Sequence, residues 1–289
     1  MKNFPALLIF LILLASLYTP VLHSQSFDST KTVIIILNDE TEITGKIISK
    51  DSLNTTVRSL SGVVSVIPNK QIIEIKKHTG GIVDGKYFKP DPADNRLMLM
   101  PTGRTLKMGE VQFNAVELIF PHLMIGVTDF LSIGLGGLPF VASGGGTFVY
   151  YLSAKVTPIN FKEAAVSLGS AMIGSTAGKV VTGVFYAVGT FGSQNASFTA
   201  GPFFAFSKDE VYDRPAILVG GQTRISKSAT LLTENIMLFG TETENFIIFP
   251  SIGIRFSGEK LAADFGTYAI IEKEHFFYPI PWIGLSYKF

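Results

Sequence analysis

The C-terminal two-thirds of the chain, from Asn95 to Phe289, alternates between apolar and polar residues with a period of two. The alternation comes in repeated segments of about ten residues, and a tilted transmembrane β-strand needs roughly 9–11 residues. Short turn sequences separate the segments, which favours antiparallel strands. About twelve strands are predicted, with ten as the second choice. The predicted strands are Arg96–Leu106, Glu110–His122, Leu131–Val141, Thr147–Thr157, Glu163–Ile173, Lys179–Gly192, Ser197–Ser207, Ala216–Ser226, Ala229–Phe239, Phe246–Ser257, Leu261–Ile271 and Phe277–Phe289.

The residue types on the two faces decide between a soluble β-sandwich and a barrel in a membrane. In Phe246–Ser257 one face carries Ile252 and Phe256, whereas the other carries Ser251 and Arg255. A soluble sheet would expose many Lys and Glu residues, but only 16% of this chain is charged, against roughly 25% in soluble domains. Beyond the N-terminal segment no run of about 18 apolar residues occurs, which excludes a polytopic helical membrane protein. We therefore predict an all-β fold, an antiparallel transmembrane β-barrel with a polar lumen.

The last predicted strand ends on Phe289, with Tyr287 two positions and Gly284 five positions before it. This spacing matches the C-terminal signal of bacterial outer-membrane barrels, although Trp282 stands where a polar residue is usual. We predict that the barrel assembly machinery reads Gly284, Tyr287 and Phe289, and that the barrel lies among the lipids of the bacterial outer membrane.

The first 24 residues predict an export signal, because Lys2 is followed by an apolar stretch from Ala6 to Leu17 that Thr19 and Pro20 end. Cleavage is expected after residue 24. The chain contains no cysteine, which excludes disulfides, thiolate metal sites and a lipid-modified N-terminal cysteine.

A small domain is predicted at residues 31–78, where five short runs of β-branched residues are separated by turns. The pattern "LNDETEITGKIISKD…SGVVSVIPNKQIIEIKK" resembles the Sm-like and SH3-like small barrels. We expect this domain in the periplasm, joined to the large barrel by a Gly- and Pro-rich linker at residues 79–94. A net charge of +1 and the lack of a basic, aromatic surface exclude nucleic acid as a partner. A periplasmic protein or peptidoglycan is the expected partner of residues 31–78.

Four segments of the larger part of the chain carry a family resemblance. "RLMLMPTGRTLKMGE", "IGVTDFLSIGLG", "TRISKSATLLTEN" and the final "PWIGLSYKF" resemble outer-membrane β-barrel proteins of Bacteroidota-type bacteria, over residues 95–289. Many of those proteins carry no assigned activity. The resemblance therefore implies a fold and a location, and adds little about chemistry.

Five charged residues are expected to point into the lumen: Lys155, Arg224, Glu234, Arg255 and Asp264. They could line a narrow pore or bind a small polar solute. Alternatively they form an internal ion-pair network that fills the barrel, since buried charges must be paired or hydrated. No inward-folding loop and no large plug domain are expected, which argues against a general porin and a TonB-type receptor.

Two predicted strands do not sort cleanly into two faces. Asn114 and Glu117 in the second predicted strand fall on opposite faces, as do Glu234 and Asn235 in the ninth. A β-bulge that shifts the register is the expected explanation.

The four histidines are His23 in the export signal, His78 near the linker, His122 near a periplasmic turn and His275 in an outer loop. No catalytic, cofactor-binding or metal-binding motif accompanies them. We expect a protein without enzymatic activity or cofactor, either a narrow, porin-like passive channel or a structural barrel that anchors the periplasmic domain. The alternative is an outer-membrane enzyme acting on lipid or lipopolysaccharide, with His275 as its base.

Overall fold

The computed structural model describes residues 32–77, 81–83, 86–138, 148–161, 163–176, 181–208, 210–239, 246–272 and 275–289. The chain divides into two compact units, with the boundary between residues 78 and 79. Within the described ranges no helix has the length and apolar character that a membrane-spanning helix needs. The predicted export signal, residues 1–24, lies outside the described residues.

The first unit consists of five short strands. They are β1 (Thr32–Leu37), β2 (Glu42–Lys50), β3 (Asn54–Ser59), β4 (Val64–Pro68) and β5 (Ile72–Lys77). They form one antiparallel sheet in the order β4-β3-β2-β1-β5, and a single 3₁₀ turn precedes β5. The prediction of five strands is confirmed, whereas the resemblance to Sm-like and SH3-like barrels stays a prediction.

One face of this sheet forms an apolar core. Ile35, Ile47, Val57 and Ile67 come from four different strands and are buried together. Ile73, in contrast, is 64% exposed. The first unit thus has an apolar interior and a surface that faces water, as an antiparallel sheet in solution usually has.

The second unit begins with a short hairpin of β6 (Gly81–Val83) and β7 (Lys86–Phe88). The interpretation of residues 79–94 as a linker is therefore wrong in part. The segment contains paired backbone, and residues 91–94 at its end are buried.

The remaining strands close into a barrel. They are β8 (Val111–Val116), β9 (Phe120–Gly126), β10 (Leu131–Leu138), β11 (Val149–Asn160), β12 (Ala164–Ser175), β13 (Val181–Gly192), β14 (Ala196–Ser207), β15 (Val211–Arg224), β16 (Ala229–Phe239), β17 (Phe246–Phe249), β18 (Ser251–Ser257), β19 (Leu261–Glu272) and β20 (His275–Lys288). β17 and β18 are two parts of one strand, because Pro250 between them has no N–H for the ladder. Sequential strands pair antiparallel, and β20 closes the ring against β8. The predicted antiparallel barrel of twelve strands is confirmed.

The count of twelve is right, but the first two predicted strands are wrong. Arg96–Leu106 is not a strand and lies inside the barrel. Glu110–His122 contributes to two strands, β8 and β9, because the chain turns at Glu117 and Leu118, whose φ angles are 50° and 57°. One strand is lost and another is gained. This turn, and not a bulge, separates Glu117 from the lumen-facing Asn114.

The expected bulge in β16 is also wrong, since the register between β15 and β16 runs without a shift. Glu234 points into the lumen, and Asn235 lies on the outer face. The Asn235 side chain donates from Nδ2 to the backbone oxygen of Val219 at 3.0 Å. A polar residue on the outer face is thus satisfied by its own sheet.

The outer surface of the barrel is apolar. Its exposed side chains include Phe185, Phe198, Ile252, Phe256 and Phe265. Soluble proteins rarely expose a continuous apolar belt, whereas the strands of a transmembrane barrel alternate between lipid-facing apolar and lumen-facing polar residues. The barrel therefore lies in the bacterial outer membrane.

The strand ends define two ends of the barrel. Short turns at residues 127–130, 193–195, 225–228 and 258–260 lie at one end, called the turn end, together with the end of β11 and the start of β12. The opposite end, called the loop end, holds the turn between β8 and β9 and the C-terminal ends of β10, β12, β14, β16 and β19. The start of β8 and the end of β20 both lie at the turn end, as an even number of strands requires. That this end faces the periplasm stays a prediction.

Candidate functional site

Residues 91–106, called the plug segment, lie inside the barrel, and most of them are buried. The segment folds back on itself. Arg96 and Pro101 form an antiparallel bridge, and the Leu97 amide donates to the Met100 oxygen at 2.9 Å. Residues 97–100 are therefore its tip.

The plug segment has two arms, one leading from residue 91 to the tip and one leading from the tip to residue 106. The outer ends of both arms lie at the turn end. Before it, the Lys89 amide donates to the backbone oxygen of Lys227 in the β15–β16 turn at 3.0 Å. After it, the Met108 amide donates to Oδ1 of Asp129 in the β9–β10 turn at 3.0 Å. The plug segment thus occupies the part of the lumen nearest the turn end.

The sequence of the plug segment explains why it does not belong to the wall. Pro92 and Pro101 lack the N–H that a central strand donates, and a charged side chain facing lipid costs about 2–4 kcal/mol at the bilayer midplane. Gly103 crosses β12 so closely that a Cβ would lie 2.2 Å from the backbone oxygen of Ala165. Only glycine fits where the plug backbone touches the wall.

Arg255 on β18 is the centre of a buried ion-pair network. Its Nε and Nη2 donate to the two carboxylate oxygens of Asp264, its register partner on β19, at 2.6 and 3.0 Å. Its Nη1 donates to Oδ2 of Asp91 in the plug segment at 3.1 Å. Asp264 also accepts from Nη1 of Arg96 at 2.6 Å. Wall and plug therefore pair each other's buried charges.

Lys155 and Glu234 hold the backbone of the plug segment from two parts of the wall. Nζ of Lys155 on β11 donates to the backbone oxygens of Asn95, at 3.2 Å, and Arg104. Oε2 of Glu234 on β16 accepts from two consecutive backbone amides at the tip, at 3.1 and 3.0 Å. Oε1 of Glu234 accepts from the hydroxyl of Tyr268 at 2.7 Å. Each buried charge thus has several hydrogen bonds, as burial requires.

Hydroxyl groups on the barrel wall form hydrogen bonds with the second arm of the plug segment. Oγ of Ser167 donates to the backbone oxygen of Gly103 at 2.7 Å, and Oγ1 of Thr190 accepts from its amide at 2.8 Å. The Thr105 and Ser132 hydroxyls are also hydrogen-bonded to each other. The small polar residues of the lumen face are therefore partners of the plug backbone.

Glycines of the wall make room for the apolar tip. A Cβ at Gly253 would lie 2.9 Å from Sδ of Met98, and one at Gly266 would lie 2.7 Å from its Cε. A Cβ at Gly220 would lie 2.6 Å from Cδ1 of Leu97. A side chain at any of these positions would force the Met98 or Leu97 side chain to shift.

The plug segment contacts the whole circumference of the barrel, because each of the twelve strands contributes at least one wall residue. The contacting residues, in strand order, are Gln112, Met124, Ser132, Lys155, Ser167, Thr190, Ser197, Gly220, Glu234, Arg255, Asp264 and Ser286.

The predicted lumen residues all face inward. Lys155, Glu234, Arg255 and Asp264 are buried in contact with the plug segment. Arg224 lies on the same face of β15, half-buried at the turn end. The structure thus brings four of the five together around one segment, and the internal network is the alternative that it favours.

The sequence analysis expected no inward-folding loop and no large plug domain, and it missed that the short plug segment lies in the lumen and supplies partners for the wall charges. The signal was present in residues 91–106, where charges and two prolines stand in a segment interpreted as linker and wall. Among the described residues, the buried charges balance as four acids and four bases: Asp91, Asp94, Glu234 and Asp264, with Arg96, Arg104, Lys155 and Arg255.

The residues of the predicted C-terminal signal lie on both faces of β20. Gly284 faces the lumen beside its register partner Asp264. Tyr287 and Phe289 lie on the outer face with ring centroids 5.1 Å apart. That the assembly machinery reads them stays a prediction.

Beyond the tip, a cavity of about 260 Å³ lies towards the loop end. Its aromatic lining consists of Phe120, His122, Tyr151 and Tyr186. The His122 and Tyr151 rings are 5.1 Å apart. His122 was predicted beside a turn of the end expected to face the periplasm, which is the turn end. It lies instead towards the loop end, because β9 starts there after the extra turn at Glu117 and Leu118.

The other histidines add no site. His23 and His78 lie outside the described residues, as does the side chain of His275. In the described part of the chain no three His, Asp or Glu residues are grouped as a metal site would need. The predicted lack of catalytic and cofactor sites stays a prediction.

No protein-family model matches the chain, and no curated protein sequence matches it. Among solved structures, it is similar to the KdgM porin, with a TM-score of 0.45 and 9% identity over 62% of this chain and 98% of that one. It is also similar to a loop L8 deletion mutant of OmpT, an outer membrane protein of Vibrio cholerae, with a TM-score of 0.35 and 12% identity over 90% of this chain and 96% of that one. These values are too low to transfer a function, so the chain is assigned only as an outer-membrane β-barrel, on its own geometry.

Proposed function

We propose that this protein is an outer-membrane barrel closed by its own plug segment, which anchors the N-terminal sheet to the membrane. The contact of the plug segment with all twelve strands carries the proposal. A barrel of about eight strands is filled by its own side chains, so a larger one needs further material to be closed. The balanced buried charges supply the electrostatic reason for the plug to stay in place.

Conductance across a planar lipid bilayer tests the closure. We expect the wild-type protein, shown to be folded by a heat-dependent gel shift, to give no stepwise openings. Asp264→Asn removes the carboxylate that Arg96 and Arg255 share, and should produce openings by loosening the plug segment. Glu259→Gln removes a negative charge from an exposed turn residue and should stay silent.

A narrow passive channel is the alternative to a barrel closed by the plug segment. In that case the folded wild-type protein conducts, and Arg255→Ala changes the ion selectivity of existing openings. A silent wild type that opens only when the network is broken separates a plugged barrel from a channel.

The anchored unit is proposed to contact a periplasmic protein, in preference to peptidoglycan. Val64 and Val66 on the edge strand β4 are 51% and 63% exposed. Exposed apolar groups favour a protein surface over a polysaccharide. Co-sedimentation with isolated peptidoglycan, compared with cross-linking in intact cells, tests this choice. Sedimentation that Val66→Lys leaves unchanged would favour peptidoglycan.

The enzymatic alternative has no supporting contact among the described residues, and the side chain of His275 lies outside them. Hydrolysis of phospholipid or lipopolysaccharide that is lost in His275→Ala, with the gel shift retained, would replace the structural proposal.

A further inference from the structure

The loop-end cavity is a part of the lumen that closure by the plug segment does not explain. The tip forms its floor through Leu99 and Pro101, and strands β8, β9, β11, β12 and β13 form its walls. Its volume of about 260 Å³ is close to the lower limit of ligand pockets, about 300 Å³. Such a space suits a ligand with a single ring.

The lining of the cavity has one sign of charge. Arg96 and Lys155 contribute to it, and no carboxylate does. The buried carboxylates of the lumen, among them Asp264 on the far side of Arg96, are not part of this lining. An anion in the cavity would therefore meet basic groups without a like charge among the described lining residues.

Polar groups with unused hydrogen-bonding capacity also face the cavity. Arg96 has five N–H donors, and its Nη2 has one acceptor among the described residues, Oγ of Ser286 at 2.8 Å. One Nη2 N–H therefore remains for a ligand. The imidazole of His122 and the hydroxyls of Tyr151 and Tyr186 add further polar groups to the same lining.

The walls around these groups are apolar and aromatic. Phe120 packs edge-on against Tyr151, with centroids 6.5 Å apart and an interplanar angle of 89°. The stacked rings of Tyr186 and Phe203 lie 5.5 Å apart. Aromatic side chains in the lining can pack against a planar ring, and the donors of Arg96 and Tyr151 can bind a carboxylate on that ring.

We propose that the loop-end cavity binds a small aromatic carboxylate. The ring lies between the aromatic walls, and the carboxylate accepts from Arg96 and from the Tyr151 hydroxyl. The proposal depends on the seated plug segment, whose tip is the floor, and is independent of the anchoring role.

Isothermal titration of the folded full chain in detergent at pH 7, with benzoate as the probe, tests the proposal. Benzoate should bind saturably with one site per chain. Benzyl alcohol has the same ring without the charge and should bind at least tenfold more weakly. Equal affinity for the two compounds would show that the cavity does not recognise the carboxylate. The absence of saturable benzoate binding would show that the cavity is not a binding site for this class of ligand.

Three variants separate the cavity from detergent partitioning and from misfolding. Ala171→Phe, on the inner face of β12, fills the cavity and should abolish benzoate binding while the gel shift is retained. Tyr151→Phe removes one hydroxyl and should weaken benzoate about tenfold while leaving benzyl alcohol unchanged. Tyr150→Phe removes the neighbouring hydroxyl on the outer face and should change neither. Equal effects of Tyr151→Phe and Tyr150→Phe would contradict the proposed pose.

Discussion

The two β-sheet units of this protein bury opposite kinds of side chain. The five-stranded unit buries Ile35 and Val57 and exposes polar groups, whereas the barrel buries Arg255 and Asp264 and exposes Phe256. Both follow one rule, that apolar side chains leave water. They differ in their surroundings. Water surrounds the first unit, whereas lipid surrounds the barrel, so the polar side chains of the barrel lie in its lumen. The comparison teaches that alternation alone specifies a strand and its two faces, and that residue type specifies which solvent each face meets.

The largest expected effect comes from placing a charge in the apolar interior of the first unit. Ile35→Asp buries an unpaired carboxylate at a fully buried position. A unit of this size has little stability to lose, so we expect it to unfold while the barrel stays intact. Limited proteolysis of the full chain with mass analysis measures this. Ile73→Asp, at an exposed position of the same sheet, is the control, and equal protection of both variants would contradict the comparison.

Removing a charge from the polar interior of the barrel should cost less but still much. Arg255→Ala leaves Asp91 buried without its ion-pair partner and leaves Asp264 paired with Arg96 alone, and breaking a buried pair costs about 3–5 kcal/mol. Denaturant unfolding in detergent, followed by the fluorescence of the only tryptophan, Trp282, gives the value. Lys260→Ala in an exposed turn should change stability by less than about 0.5 kcal/mol. A similar loss in both variants would mean that the network contributes nothing.

Two exposed isoleucines sharpen the comparison, because they differ only in the solvent they face. Ile252 on the barrel is 57% exposed, and Ile73 on the first unit is 64% exposed. Ile252→Arg should lower barrel stability by about 2–4 kcal/mol if its side chain lies near the bilayer midplane. Ile73→Arg should change the stability of the first unit by less than about 0.5 kcal/mol. The same unfolding assays in lipid vesicles measure both, and equal values would contradict the lipid-facing assignment.

The smallest expected effect is a pH dependence confined to the first unit. The backbone amides of Asn54 and Leu53 donate to the Asp51 carboxylate at 2.7 Å, and they hold the pKa of Asp51 below its ordinary value. The resulting stability is present above the unfolded pKa of about 4 and is lost as the pH falls through the lower, folded pKa. Protease protection of the first unit should therefore decline in this acidic range. Asp51→Ala should flatten that decline, and an unchanged slope would show that other groups cause it.

The sequence analysis was most accurate where the pattern is local. Period-two alternation and turn residues located most of the barrel strands and the turns of one end. The inward faces of Lys155 and Arg255 followed from the same parity. These inferences need only the geometry of a strand, in which neighbouring side chains point to opposite faces.

The errors arose where a local pattern has two tertiary solutions. Arg96–Leu106 alternates enough to be taken as a wall strand, and the turn at Glu117 carries no glycine to mark it. The two errors cancelled in the strand count and so left the total unchanged. The position predicted for His122 was nevertheless wrong, because the turn at Glu117 determines at which end of the barrel His122 lies.

The sequence by itself determined an all-β, two-unit chain with a large antiparallel barrel, because alternation and turns are encoded within a few neighbouring residues. Only the tertiary structure decided that residues 91–106 lie in the lumen. Their place depends on pairs such as Arg96 with Asp264 and Asp91 with Arg255, which are distant in sequence. A buried charge is stable only beside its partner, and no local pattern names a partner that far along the chain.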